Sequence, residues 1–420
     1  MSPTSVKGIK SFSGEIRLPL DKSIAQRAFI LDLPINEGIL GEDILSTKRA
    51  AMKSRLNNDY SDLYLGNSGT GIRLLTGFLS GSGKHFSLSG DQSLNSRPMS
   101  RIADPLNEMG AQISLNDGKA PINIAPASLV NSFAYQLPVA SAQLKSALLL
   151  AALNSKTKIK IEEPVHTRNH TELMLAYLGA DLSIHKTDRS NVIELNAVNG
   201  YKKKTIYVPG DFSSASFFIA LGLLGLDSKL IIPNAGINPT RIAFLKVLID
   251  MGANIEISNR RKENNEEIAD LIIQSSQLRM GNIPNDLVPN LIDEIPILSI
   301  LAAFSEGVLR LENIGELRVK ESNRIHAIEQ LLSVIGVEVK QEGDDLEISG
   351  AGSDFVFNGG EFKSFGDHRI AMCAAISAVR SSDEVFIDDI QNVRTSFPNF
   401  FTNLEHLGFK ISNNGTNSLD

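Results

Sequence analysis

Chemistry is densest in one run of this 420-residue chain, Leu317-Arg318-Val319-Lys320-Glu321-Ser322-Asn323-Arg324. The apolar residues Ile325, Ile328, Leu332 and Ile335 recur at helical spacing and set a core face. Lys320 and Arg324 are then adjacent at i, i+4, with Glu321 beside them. Such a trio is either a solvated ion-pair network of little worth or a proton-transfer pair beside an anion clamp.

A second segment, Leu18-Pro19-Leu20-Asp21-Lys22-Ser23-Ile24-Ala25-Gln26-Arg27, predicts a helix start. Asp21 or Ser23 can cap it, and Ile24, Ala28 and Leu31 form its apolar face. Lys22 with Gln26, and Ser23 with Arg27, project from the other side. A helix N-terminus carrying two cations suits a phosphate or carboxylate. A capped surface helix with solvated charges explains the same residues, and this segment alone favours that plainer reading. A third segment, Leu65-Gly66-Asn67-Ser68-Gly69-Thr70-Gly71-Ile72-Arg73, has three glycines that let backbone N–H groups approach an anion, without the spacing of a Walker loop. Ser141-Ala142-Gln143-Leu144-Lys145-Ser146, Gly210-Asp211-Phe212-Ser213-Ser214 and Gly366-Asp367-His368-Arg369 each precede an apolar helix, and ordinary capping explains any one of them. His166 and His170 lie four apart with Glu172 nearby, but no third ligand falls at a metal-site spacing, so a surface or substrate-side role is expected.

These segments need elements to position them, and an internal repeat supplies the framework. A periodic apolar stretch ends at a glycine and passes into a short strand at Gly110, Gly179, Gly252, Gly336 and Gly408, spaced 69, 73, 84 and 72 residues apart. Each glycine is predicted to be a left-handed helix C-terminus. The period is too long for a solenoid, so each copy should be a small α/β subdomain. A sixth copy near Arg55 lacks its glycine and strand, and Asn57-Asn58-Asp59 leads almost directly into Leu63-Tyr64-Leu65. Five complete units and a shortened first one, in two groups of three, give two domains. The C-terminal residues 412–420 read as a frayed tail.

Composition fits this plan. Hydrophobic residues are 42% and charged residues 21% of the chain, as in an ordinary globular protein. The net charge of −7 argues against nucleic acid as a partner. One cysteine excludes a disulfide framework and a multi-cysteine zinc site. The N-terminus shows no secretory signal and no apolar stretch is long enough to span a bilayer, so a cytoplasmic enzyme is expected.

Taken together and in order, the segments resemble the EPSP synthase family over almost the whole chain. The matching stretches are residues 19–27, 65–73, Ser96-Arg97-Pro98-Met99, 141–146, 167–172, 210–215, Ile292-Asp293-Glu294, 317–324, 366–372 and 395–398. Leu-Arg-Val-Lys-Glu and Asp-His-Arg-Ile-Ala-Met are specific in combination, and the Asp-Lys-Ser opening is similar to class II members. The resemblance implies an α/β fold of two domains, each of three βαβαββ-type units. One domain would be residues 1–20 plus 210–420, the other 21–209, with a hinge at 18–21 and 208–210.

It further implies enolpyruvyl transfer from phosphoenolpyruvate to the 5-hydroxyl of shikimate 3-phosphate, without cofactor or metal, by a monomer. Lys22, Asn67, Gly69, Arg97, Gln143, Arg324 and Arg369 would surround phosphoenolpyruvate. Lys22, Ser23, Arg27, Ser141, Ala142, Gln143, Arg168, Asp293 and Lys320 would surround shikimate 3-phosphate. Asp293, Glu321, Lys320 and Lys22 would be catalytic. The inhibitor glyphosate occupies the donor site in this family, and Gly69 leaves open the space that an Ala fills in some tolerant members. The chain departs from the family at Leu20 (usually Gly), Gln26 (usually His or Asn) and Thr395 (Lys in some members, with Arg394 adjacent here).

Two rivals are weaker. UDP-N-acetylglucosamine enolpyruvyl transferase needs a loop cysteine before its Arg-Pro pair, and the only cysteine here, Cys373, lies inside an apolar helix. A non-catalytic relative fits the shortened repeat but not the intact charged set.

Overall fold

The computed structural model describes residues 3–56, 60–187 and 190–413, so Asn57-Asn58-Asp59 and the chain after Asn413 lie outside the described residues. Two compact units emerge. One comprises Met1–Leu20, Pro209–Arg261 and Glu267–Asp420; the other comprises Asp21–Val208 and Lys262–Glu266.

One topology recurs among the described residues. Strands Tyr60–Tyr64, His85–Ser89, Lys119–Ala125 and Gln112–Asn116 form a sheet in that order, the first pair parallel and the others antiparallel. The same succession appears in Ser132–Gln136, Lys158–Glu163, Asn191–Asn196 and Asp181–Lys186. It appears again in Arg279–Asn282, Glu306–Leu311, Asp345–Ser349 and Val339–Glu342. A further copy joins Gly360–Phe362, Val385–Ile387, Thr4–Lys7 and Lys410–Asn413, closing the chain's two ends into one sheet. The fifth sheet runs Ser11–Glu15, Asp227–Gly236, Glu266–Gln274, Asn254–Glu263, again with its first pair parallel.

The repeat glycines have the geometry their sequence context requires. Gly110, Gly179, Gly252, Gly336 and Gly408 have φ of 103°, 80°, 96°, 88° and 101°. Each ends a helix and delivers the chain into the outermost strand of its sheet. The last of these strands contains Ser412 and Asn413, which pair with Ser5 and Thr4, so the predicted frayed tail is corrected there: two of its residues extend a ladder. The sixth unit is shortened as expected. Between Glu15 and Tyr60 the described residues hold two helices, α1 (Lys22–Ile30) and α2 (Glu42–Ser54), and no strand beyond isolated bridges at Leu20 and Ile35.

Helices without a polar stripe lie at the centre of each unit, because a helix apolar all round must be buried on every side. In the unit containing Asp21–Val208 this is α4 (Ala142–Ser155), packed against the mostly buried α3 (Gly69–Ser80) and followed by the shorter α5 (His170–Tyr177). The two long helices pack closely at Gly77, where an added Cβ would fall 2.3 Å from the Ala147 carbonyl oxygen. In the other unit they are α6 (Phe212–Leu224), α7 (Ile295–Ala303) and α9 (His368–Ser377), all fully buried, with α8 (Arg324–Ile335) alongside. Edge-to-face rings of Phe217, Phe218, Phe397 and Phe400 lock α6 into that core. Among the described residues no helix is long and apolar enough to cross a membrane.

Candidate active site

In the unit containing Asp21–Val208, the first turns of α1, α3 and α4 are tied together by side chains. Asp21 caps α1, accepting from the Ile24 amide at 2.9 Å, which makes Lys22 the first helical residue. Lys22 Nζ reaches Asp43 Oδ2 at 2.8 Å. Gln26 and Arg27 are buried, so the solvated surface helix that this segment alone favoured is corrected: the polar side of α1 faces protein. Arg27 donates to Thr171 Oγ1 at 2.7 Å, to Ser146 Oγ at 2.8 Å and to the Ser23 carbonyl at 2.7 Å. Burial lowers its pKa to about 10, against the opposing pull of Glu172 and Asp21, so it remains a cation at neutral pH.

Ser68 caps α3 and Ser141 caps α4. Asn67 sits between Asp91, 2.8 Å from its amide nitrogen, and Arg97, which donates to its amide oxygen. Gly69 begins α3, and a Cβ there would lie 2.8 Å from Arg97 Nη1 and 3.4 Å from Arg73 Nη1. Gln143, in the first turn of α4, accepts from Arg73 at 3.1 Å and donates to Thr70 Oγ1 at 3.0 Å. Ser23, Asn67, Gly69, Arg97, Ser141, Ala142 and Gln143 thus all stand at helix starts or beside them. Arg168 lies in the partly exposed segment before α5. That segment is anchored by Glu163, which accepts from the Thr167 amide at 2.9 Å and pairs with the fully buried Lys145 at 3.0 Å. Lys145 also pairs with Glu172 at 2.8 Å.

His170 is not at a surface. It is buried, with Nδ1 2.7 Å from Glu266 Oε1, while Glu172 is occupied by Lys145. Among the described residues no group of three or more metal-ligand side chains comes together.

In the other unit the starts of α6, α7 and α9 meet. Ser213 donates to Glu294 Oε1 at 2.5 Å and accepts from Arg241 at 2.6 Å. Arg369, in the first turn of α9, donates to the Asp293 carbonyl at 2.6 Å. Asp367 caps α9 through the Arg369 amide at 2.9 Å and receives Arg324 Nε at 2.8 Å. Arg324 also reaches Glu321 at 2.6 Å and approaches Asp293 Oδ1 at 3.9 Å. Burial alone would lower the Arg324 pKa, but Asp367 and Glu321 outweigh it and hold it above the usual arginine range. Burial likewise works against ionising Asp367, yet the Arg324 charge keeps its carboxyl below the ordinary value.

The predicted i, i+4 arrangement of Lys320 and Arg324 is corrected. Helix α8 begins only at Arg324, with Asn323 as its cap, and Lys320 is extended at the end of a 3-10 turn, Gly315–Val319. Lys320 instead contacts Glu316 at 2.7 Å and Asp293 Oδ1 at 3.8 Å. Asp293, Lys320 and Glu321 are partly exposed around the buried Arg324. Thr395 turns its hydroxyl onto the Asn392 carbonyl at 2.6 Å, and Arg394 is exposed.

Both units therefore present several helix N-termini and fixed cations close together, the arrangement that binds multiply charged anions. A family model described as EPSP synthase (3-phosphoshikimate 1-carboxyvinyltransferase) matches residues 40–404. The chain belongs to the EPSP synthase family. It is 39% identical over 434 residues to a 3-phosphoshikimate 1-carboxyvinyltransferase of Pelobacter propionicus, covering 96% of this chain and 98% of that one. A relative of the same description from Zymomonas mobilis is 39% identical, with 94% of each chain covered. A solved EPSP synthase structure from Acinetobacter baumannii superposes with a TM-score of 0.84 at 35% identity, covering 98% of this chain and all of the other.

The sequence reading gave no role to several residues of this framework: Asp43, Thr47, Lys145, Glu163, Arg241 and Glu294. Lys145 did leave a signal, since a lysine between Leu144 and Leu148 on an all-apolar helix needs a buried carboxylate. Asp43 and Thr47 left none, because their role rests on contacts with distant positions.

Proposed function

We propose that these helix starts bind the two anionic substrates of the EPSP synthase reaction, the transfer of the enolpyruvyl group of phosphoenolpyruvate to shikimate 3-phosphate in aromatic amino acid biosynthesis. Lys22, Asn67, Gly69, Arg97, Gln143, Arg324 and Arg369 take the donor. Lys22, Ser23, Arg27, Ser141, Ala142, Gln143, Arg168, Asp293 and Lys320 take the acceptor. The observation that carries this reading is the burial of cations near helix starts within each unit: Arg27 in one, Arg324 and Arg369 in the other. A buried arginine is costly unless anions accompany it, and two multiply charged substrates need fixed cations to offset their repulsion.

Asp293 removes the proton from the 5-hydroxyl as that oxygen attacks the enol carbon of phosphoenolpyruvate. Its closeness to Lys320 and Arg324 supports this role, since it stands among the cations assigned to the two anionic substrates. Glu321 with Lys320 gives a proton to the methylene carbon, completing a tetrahedral intermediate. The same pair then takes a proton back from the methyl group as phosphate leaves. Lys22 meets the developing negative charge. The segments at 18–21 and 208–210 act as the hinge, supported by the Leu20–Gly210 bridge. The reaction takes place in the cytoplasm, in a monomer.

Phosphate release tests the reading. It should require both substrates together and fall by orders of magnitude in Asp293→Asn and Glu321→Gln. Undiminished release in both variants would overturn these roles.

A further inference from the structure

We propose that Gln26 is a positioning residue for the donor site, its side-chain NH2 fixing the glycine-rich turn at Asn67–Gly69 against the first turn of α1. This deepens the reading above and rests on its assignment of Asn67 and Gly69 to phosphoenolpyruvate.

Gln26 is fully buried, and its Nε2 lies 3.0 Å from the Asp43 carbonyl, 3.0 Å from Thr47 Oγ1 and 2.6 Å from Ser68 Oγ. The carbonyl can only accept, so the amide must turn its NH2 this way. Thr47 gives its own proton to the same carbonyl at 2.8 Å. Ser68 then donates to Thr47 across 3.1 Å, and accepts from Gln26 and from the Gly71 amide at 3.2 Å. Every hydroxyl proton thereby has one destination, and the NH2 group is the donor on which the network turns. The Gln26 amide oxygen, by contrast, is buried and finds no hydrogen-bond partner among the described residues. The site is thus built around the nitrogen end of this side chain.

Two consequences make the effect selective for the donor. Asp43 offers its carbonyl to Gln26 and, separately, its carboxylate to Lys22, so replacing Gln26 leaves the Lys22 contact standing. Ser68 is flanked by Asn67 and Gly69, so moving its hydroxyl moves the backbone on both sides. The fit is tight, for a Cβ on Gly71 would fall 2.1 Å from Thr47 Oγ1 and 2.5 Å from Ser68 Oγ.

The test compares Gln26→Met, Gln26→His and Ser68→Ala by steady-state kinetics, with Arg97→Lys as control. Gln26→Met keeps length but donates nothing, and should raise the KM for phosphoenolpyruvate about tenfold or more while leaving that for shikimate 3-phosphate within about threefold. Gln26→His, which restores an N–H donor, should return most of the loss. Ser68→Ala removes the other end of the contact and should reproduce the donor-selective rise, so the proposal stands testable even where Gln26→Met folds poorly. Combining Gln26→Met with Ser68→Ala should add little to either alone. Equal rises in both KM values would show a merely structural role and overturn the proposal. An unchanged donor KM in Gln26→Met and Ser68→Ala, with a raised one in Arg97→Lys, would also overturn it while leaving the donor site in place. No change in Arg97→Lys would remove the donor-site reading itself, and this proposal with it.

Discussion

The pair Arg324–Asp367 gives the sharpest test, because it separates a structural charge from a catalytic one. Arg324 is 1% exposed and Asp367 is not exposed at all. The guanidinium forks onto the carboxylate, Nε to Oδ2 at 2.8 Å and Nη2 to Oδ1 at 3.3 Å. Arg324→Met leaves that carboxylate buried without its cation, a change worth about 3–5 kcal/mol against a total stability of about 5–15 kcal/mol. Removing Arg324 should therefore cost stability as well as activity. Adding Asp367→Asn removes the stranded charge while an asparagine still caps α9, so most of the stability should return. Activity should not return, since the cation proposed to meet phosphoenolpyruvate is still missing.

The pH dependence follows with a definite sign. In the native protein Asp367 is held below its ordinary value near 3.8, so its contribution is present above that pH and lost as pH falls through the lowered value. In Arg324→Met burial and the Glu321 charge still raise the Asp367 carboxyl while His368 still lowers it, so, relative to wild type, stability should be regained on acidification from pH 8 towards 5. Urea unfolding midpoints across that range, with phosphate-release assays at pH 7, measure both effects. Wild-type stability in Arg324→Met, or recovered turnover in the double variant, would refute the reasoning.

Lys22→Ala and Arg97→Ala should each lower kcat/KM at least about tenfold with small stability changes, since a charge-assisted contact is worth about 1.5–3 kcal/mol; near-normal values in both would remove these residues from the site. Gly69→Ala should raise the inhibition constant for glyphosate more than the KM for phosphoenolpyruvate, because its Cβ would press on the Arg97 guanidinium, whose end can yield by a fraction of an ångström for a compact ligand; a parallel rise would show that Gly69 does not discriminate. Lys145→Met leaves Glu163 and Glu172 facing each other in the core and should destabilise the protein by about 3–5 kcal/mol, with an unchanged thermal midpoint as the contrary result.

The fold was legible where a local rule repeats. Five glycines each end a helix and start an edge strand, and left-handed φ at such a position is a property of the residue itself. The helix caps were legible for the same reason, since Ser68, Ser141, Asp211 and Asp367 act on amides two or three residues ahead. Lys320 and Arg324 mark where local rules fail. A four-residue spacing suggested one helix face, but Asn323 starts the helix later, and its capping preference was visible in the sequence. The environments of Gln26 and Arg27 were not visible at all. Apart from the Ser23 carbonyl, their partners lie 17 to 144 residues away, and nothing in α1 alone distinguishes a polar face turned to solvent from one turned to Ser68 and Thr171.

That difference bears on the shortened first unit. Elsewhere a four-stranded sheet fixes each group of helices, and its ladder sets their position through many backbone bonds. Around α1 and α2 the described residues provide no such sheet, yet α1 carries Lys22, Ser23 and Arg27. Its apolar face, Ile24, Ala28 and Leu31, is buried, but apolar burial is non-directional and tolerates sliding. Direction comes from side chains: Lys22 to Asp43, Arg27 to Ser146 and Thr171. Buried polar bonds of this kind specify one arrangement because every displaced alternative strands a donor or acceptor. The polar face that the sequence offered as substrate chemistry is therefore also what holds α1 in register: Lys22 and Arg27 anchor α1 itself, and Gln26 holds the Asn67–Gly69 turn against it.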